Sequence, residues 1–460
     1  MRKYINHIMV TLFTISFIQS CKKFVEVDPP IDKLDSELVF SDEQTATSSV
    51  LGLYTRMMST LPVISSGGVT IYTGLSADEF YNVNTLDPEI ASFTNNELTP
   101  ANSKLSTDFW LKGYNIIYHA NACISGLENN STIKVSLRDQ LLGESLFIRS
   151  FMYYYLVSLY GDVPLILSTD YEANGNAPRS QVDLVFAQLI NDLKRAQSLL
   201  TESYPTNGHV RPNKWTSTAL LARIYLTLGK WDLAEHEASN IINSGVYVLE
   251  QNPEDVFLPV SNEAIWQIMP SANGFNTTEA RYFVPTTSAS SRPNYPLTTY
   301  LQSAFEPGDL RRAKWVNSKV VAGQSYYYPY KYKIRDFGLP VTEYYMVFRL
   351  AEQYLIRAEC YAHQGETINA KSDLDFLRQR AGLPATSANT PDELLNALAQ
   401  ERRVELFAEW GHRWLDLKRT KTATTVLSPI KPGWKETDTL YPIPSGEIRR
   451  NPSLTQNPGY

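Results

Sequence analysis

The chain has 460 residues with 42 basic and 48 acidic side chains, a net charge of −6 that becomes −8 without residues 1–20, which carry Arg2 and Lys3 and no acid. An acidic balance of this kind excludes a nucleic-acid-binding role, which needs a basic face to meet phosphates. Hydrophobic content of 43% and charged content of 20% are globular values, and the length suits one large helical unit or two fused ones.

After Arg2 and Lys3 an apolar stretch runs from Ile8 to Ile18. A basic start, a short apolar segment and small residues make a secretory signal, so residues 1–20 are expected to be removed. The stretch is about half of the roughly 20 apolar residues that cross a bilayer as a helix, so no permanent membrane-spanning anchor is expected. Ile18-Gln19-Ser20-Cys21 resembles a bacterial lipobox, whose cysteine is acylated and becomes the first mature residue. Cys21 is therefore the expected lipid attachment site and has no catalytic role. Burial of acyl chains at about 0.8 kcal/mol per methylene would hold the protein to a membrane.

The first predicted helix opens at Ser41 as N-cap and places Val50, Leu53, Tyr54 and Met57 at helical spacing. Residues 65–100 are rich in Asn, Asp and Tyr and are expected to be irregular. Helix returns at 107–128, with Trp110, Tyr114, Ile117, Asn121 and Ile124 on one stripe. A long helix follows within 137–166, stopped by Gly161, with Pro164 preventing its continuation. Two more are predicted at Val182–Leu200 and Lys214–Leu228, so the architecture is mainly α.

A repeat then becomes visible. Ala222, Tyr225, Gly229 and Ala234 share their spacing with Ala358, Tyr361, Gly365 and Ala370, 136 residues downstream. The logic is that of a helical hairpin: small alanines let two helices approach, Tyr fills the space between, and Gly ends the first helix. This looks like the tetratricopeptide pattern, although two copies are fewer than the three a free-standing solenoid needs. Other units must be degenerate, or other segments must cap these two.

Between the copies, residues 281–332 hold eight tyrosines, Trp315 and five prolines, which predict loops and short strands laid over the scaffold. Together with 65–100 this stretch supplies aromatic planes and Asn/Asp groups, the two things a sugar ring needs for its apolar face and its rim of hydroxyls. On composition the candidate ligand-binding residues are Asp78, Tyr81 and Asn82 in the early region and Tyr282, Tyr295 and Trp315 in the later one. For any single tyrosine, packing onto the helices competes with this reading.

No catalytic, phosphate-binding or dinucleotide motif is present, and the six histidines never fall at metal-ligand spacing, so no metal or cofactor is expected. Cys123 and Cys360 lie in helical segments and read as buried free thiols, though an exported protein could pair them. The charged stretch 400–420 is expected to be helical, with Glu409 pairing Arg413, Arg402 pairing Glu405, and Trp410, Trp414 and Leu417 in an apolar stripe. Glu401, Glu405 and Glu409 on one face among arginines fit a structural salt-bridge network better than a glycosidase, which needs two carboxylates across a cleft.

The stretch ERRVELFAEWGHRWLDLKRT, the C-terminal LYPIPSGEIRRNPSLTQNPGY and the start CKKFVEVDPP closely resemble the SusD/RagB family of outer-membrane nutrient-binding lipoproteins of the Bacteroidetes. The resemblance spans the chain. It implies a SusD-like fold: a tetratricopeptide-like scaffold at 41–245 and 345–420, a loop-rich insertion at 246–344 forming an irregular aromatic ligand face, and an extended tail at 421–460, all one unit from residue 21. It also implies a lipid-anchored, surface-facing protein without enzymatic activity. Such a protein captures oligosaccharide, or in some members peptide, for a TonB-dependent SusC-like barrel. Of the family's functional positions only Cys21 is matched by motif. A peptide-binding or purely protein-binding helical-repeat lid of such a transporter is the alternative, and a glycoside hydrolase fits less well.

Overall fold

The computed structural model describes residues 36–270 and 274–460, so the signal segment, Cys21 and the CKKFVEVDPP motif lie outside the described residues. The first long helix, α1 (Glu43–Met57), starts one residue later than expected. Asp42 rather than Ser41 caps it, its Oδ1 accepting from the amides of Gln44 (2.8 Å) and Thr45 (3.1 Å).

The irregular region 65–100 contains two unforeseen helices, α2 (Gly68–Ser76) and α3 (Pro88–Asn95). Every residue of α2 is buried. A helix enclosed on all sides has no polar face, so it shows no amphipathic period to read. Its glycines serve close packing: a Cβ at Gly68 would lie 2.6 Å from the Val63 carbonyl, and one at Gly74 would overlap the Phe80 ring.

The expected scaffold follows as α4 (Lys112–Leu127), α5 (Val135–Tyr160), α6 (Val182–Leu199), α7 (Lys214–Thr227) and α8 (Trp231–Asn243). Gly161, in the left-handed region at φ 73°, ends α5 as the sequence predicts. After the insertion come α9 (Leu350–His363), α10 (Thr367–Arg380), α11 (Pro391–Glu405) and α12 (His412–Arg419).

Each of α4 to α10 packs against the next, so α8 meets α9 directly although more than 100 residues separate them in the chain. The repeat copies are thus neighbouring hairpins in one array, and α4–α6 supply the degenerate units. Ala222, Ala234, Ala358 and Ala370 are wholly enclosed, and Gly229 (φ 65°) and Gly365 (φ 79°) turn the two hairpins. Trp231 of one hairpin stacks on His363 of the other, ring centroids 3.9 Å apart. Among the described residues no helix is long and apolar enough to cross a membrane. Cys123 and Cys360 are buried and free, and burial pushes the Cys123 thiol up to about 12.

The insertion carries two antiparallel pairs of strands. β1 (Ala264–Ile268) pairs with β4 (Tyr345–Arg349), and β2 (Val316–Val321) forms a hairpin with β3 (Gln324–Pro329). The C-terminal stretch is not extended throughout: short helical turns occupy 423–427, 436–439 and 445–450. Its closing motif acts as a pin, since Asn457 Nδ2 donates to the carbonyls of Tyr160 and Tyr441 (2.8 Å each) and Tyr460 donates to Leu440 (2.9 Å).

Two ion pairs predicted by helical spacing do not form. The helix breaks between α11 and α12 at Ala408 (φ 54°), Trp410 (φ 44°) and Gly411 (φ 73°), so Glu409 and Arg413 no longer share a face. Arg402 turns to Asp416 (2.8 Å) and Arg413 to Asp78 (2.7 Å). The glutamates of the cluster find their arginines in distant elements instead. Glu405 is bound by Arg311 (2.9 Å), Arg349 (2.5 Å) and Arg380, and Glu409 by Arg349 (2.8 Å) and Lys331 (2.5 Å). This is a structural network, as the sequence implied.

Candidate functional site

The two irregular regions dock edge to edge. The amides of Tyr81 and Val83 donate to the carbonyls of Pro296 and Asn294 (3.1 Å each), and the Thr298 amide donates to Glu79 (2.9 Å). Thr298 then caps the short helix Thr299–Gln302, which leaves Tyr300 49% exposed. Facing this seam are the end of α3, with Thr94, Asn95 and Glu97, and the turn at Ile430–Gly433. Between them lies an open cleft of about 410 Å³ whose walls include Tyr81, Tyr300, Asn95, Glu97 and Lys431.

Two buried carboxylates support the cleft. Asp78 Oδ1 accepts from Arg413 Nε (2.7 Å), and Oδ2 accepts from Arg413 Nη2 (3.0 Å) and Arg403 Nη2 (2.6 Å). Burial works against its charge, but the two guanidiniums outweigh burial and hold its carboxyl below the usual 3.8. Glu79 accepts from the Ala408 amide (3.2 Å) and so ties the strained 406–411 turn to the cleft. Burial, with the Asp78 charge adding to it, pushes Glu79 up to about 8.

A pH dependence follows. The folded value of Glu79 lies above the ordinary 4.5, so its stability contribution is complete below pH 4.5 and is lost as pH rises to about 8. Glu79→Gln keeps the acceptor for Ala408 and removes the titration. Its stability relative to wild type should rise between pH 4.5 and 8, by up to about 4 kcal/mol. Denaturant unfolding at several pH values reads this directly; parallel pH profiles would refute it.

The six residues singled out from composition have different fates. Tyr81 lines the cleft and is half-buried. Asp78 backs the same wall, 3% exposed and spent on its arginines. Asn82 forms a turn within its own loop, donating to the Asn84 carbonyl (2.6 Å) and accepting from the Asn84 amide (3.0 Å). Tyr282 and Tyr295 stack on each other, 6.3 Å apart and nearly parallel, with Tyr295 packed against Phe283, and neither lines the cleft.

Trp315 is corrected outright as a ligand contact. It is 1% exposed, donates from Nε1 to the Pro253 carbonyl (2.7 Å) and covers the buried ion cluster, with Lys331 4.5 Å from its ring centre. Tryptophan is the largest side chain to bury, and here a core position claimed it. Both composition-marked regions contribute to the cleft lining, but composition did not single out Tyr300, Asn95 or Glu97 within them. Nothing marked Lys431, whose part depends on a turn more than 300 residues away in sequence.

Two family profiles match the chain: one described as "SusD family" over residues 266–460, and one described as "Starch-binding associating with outer membrane" over residues 23–226. A SusD-like protein, P25, of Formosa agariphila is 25% identical over 98% of each chain. Among solved structures, a SusD superfamily protein from Bacteroides vulgatus superposes with a TM-score of 0.82 at 21% identity, covering 92% of this chain and 100% of that one. A laminarin-binding SusD-like protein superposes with a TM-score of 0.78 at 24% identity, covering 91% of this chain and 100% of that one. These likenesses extend over nearly the whole described fold.

Proposed function

The chain belongs to the SusD/RagB family, and from that premise we propose that it is a non-enzymatic glycan-binding lipoprotein of the outer membrane. It captures oligo- or polysaccharide at the Tyr81–Tyr300 cleft and delivers it to a SusC-like TonB-dependent barrel, while Cys21 holds it on the cell surface.

The observation that carries this reading is the cleft itself. Two aromatic loops, remote in sequence, are hydrogen-bonded into one wall that presents Tyr81 and Tyr300 beside the polar Asn95 and Glu97. Tyrosine rings offer planes for the apolar face of a sugar, and the polar groups meet its hydroxyls. Support comes from the family profile described as starch-binding and from the laminarin-binding protein that shares the fold. The barrel partner and the lipid anchor rest on family membership and on the lipobox-like sequence.

The cleft does contain two carboxylates, Asp78 and Glu97, which a glycosidase also needs. Asp78 is locked between two guanidiniums and held below the usual carboxylate range, so it has no proton to give a leaving group. Glu401, Glu405 and Glu409 are buried in the ion network and do not line this cleft.

Affinity electrophoresis of the chain from residue 22 against laminarin, starch and plant and host polysaccharides tests the reading. Retardation by one polymer is expected. Tyr81→Ala and Tyr300→Ala should each weaken that binding by about 5- to 10-fold, because aromatic anchors dominate such contacts, without lowering Tm. Tyrosine variants that bind like wild type would move the site elsewhere; release of reducing ends would make the protein an enzyme.

A further inference from the structure

We infer that the cleft selects uncharged glycans and that Glu97 is the residue that sets this selectivity, an inference that rests on the capture reading above. Lys431 is the one cation lining the cleft among the described residues. An ammonium has three protons to donate, and those of Lys431 go to the Leu75 carbonyl (2.7 Å), the Ser76 carbonyl (2.5 Å) and Asn96 Oδ1 (2.7 Å). Lys431 is 8% exposed, and burial brings its ammonium down to about 7. Arg403 and Arg413 do not line the cleft; they stand behind its wall, both paired with Asp78. A ligand carboxylate or sulfate entering here finds no lining cation with a proton left to donate.

What it does find is an exposed carboxylate. Glu97 projects from the end of α3, and Asn95 Nδ2 donates to its Oε2 (3.2 Å), which orients the group and leaves Oε1 open. Gly433 makes the room: a Cβ there would lie 3.2 Å from Oε1. Close by on the same wall, Thr94 Oγ1 is shielded and has no protein partner. A carboxylate accepts hydrogen bonds and donates none, so Glu97 suits the O–H donors of neighbouring sugar hydroxyls. The same charge repels an anionic ring, and no lining cation has a free donor to pair with it.

The test uses the chain from residue 22 with Glu97→Gln and Glu97→Lys. The probes are laminarin, amylopectin and mannan as neutral polymers, and alginate, polygalacturonate and carrageenan as anionic ones. Glu97 is exposed, so both variants should melt like wild type. The expected result is retardation of wild type by a neutral polymer and by none of the anionic ones. Glu97→Gln should bind the neutral polymer about tenfold more weakly, and Glu97→Lys should gain retardation by an anionic polymer. Wild type held by an anionic polymer, or variants that bind as wild type does, would overturn the selectivity and leave capture standing. Failure of every polymer, neutral and anionic, to retard wild type would overturn both.

Discussion

Replacing Glu405 with alanine should destabilise the fold by roughly 3–5 kcal/mol, the cost of stripping a buried ion cluster of its central anion. Glu405 is wholly enclosed and is shared by Arg311, Arg349 and Arg380, which come from three different elements. Alanine leaves three guanidiniums facing a cavity with one fewer counter-charge. With an unfolding entropy of about 2 cal/mol/K per residue, the loss corresponds to a fall in Tm of about 3–6 °C.

The effect carries a pH signature. Burial opposes the Glu405 charge, but the arginines outweigh it and hold its carboxyl well below the usual 4.5. A depressed folded value means that the contribution is present above 4.5 and is lost as pH falls through the folded value. The penalty of Glu405→Ala should therefore be largest near neutral pH and shrink in acid. Thermal melts across that range decide it, with Glu405→Gln as a control that restores shape but not charge. An unchanged Tm would show that the cluster holds nothing together.

The second large effect is expected from Asp78→Ala, which should lower stability by roughly 2–4 kcal/mol and weaken glycan binding together. Removing one partner of a buried pair leaves the other charge uncompensated. Arg403 and Arg413 keep side-chain exposures of 18% and 12%, so water relieves part of that cost. Asp78 joins arginines from either side of the strained 406–411 turn to the wall that carries Tyr81, so its loss loosens the cleft as well as the core. Tyr81→Ala touches only the cleft and should weaken binding at constant Tm. A variant at Asp78 that lost binding with no change in melting would mean that the carboxylate meets the ligand directly.

The helical scaffold was legible because its helices are amphipathic or punctuated. Gly161 stops α5, and the alanines and glycine of each repeat hairpin do in the structure what their spacing implies, whereas Tyr361 is only partly buried and reaches Glu235 of the neighbouring hairpin. The buried helix α2 was not legible, since it has no polar face to give a period. The same limit affected the site. Trp315 and Tyr300 stand in one tyrosine-rich stretch and look alike in composition, yet one lies 1% exposed over an ion cluster and the other 49% exposed at a cleft. Burial of an aromatic residue depends on what folds over it, and that is not a local property.

The sequence by itself determined the mainly helical class, the two hairpin copies, the family and the acidic charge balance, because each is written in local spacing, motif or composition. Only the tertiary structure decided which arginine answers which glutamate, where the helix breaks at Ala408–Gly411, and that residues 80–83 and 294–298 form one wall. Ion pairs and clefts are made by groups hundreds of residues apart. Their energies depend on distance and desolvation, which the chain acquires only when it folds.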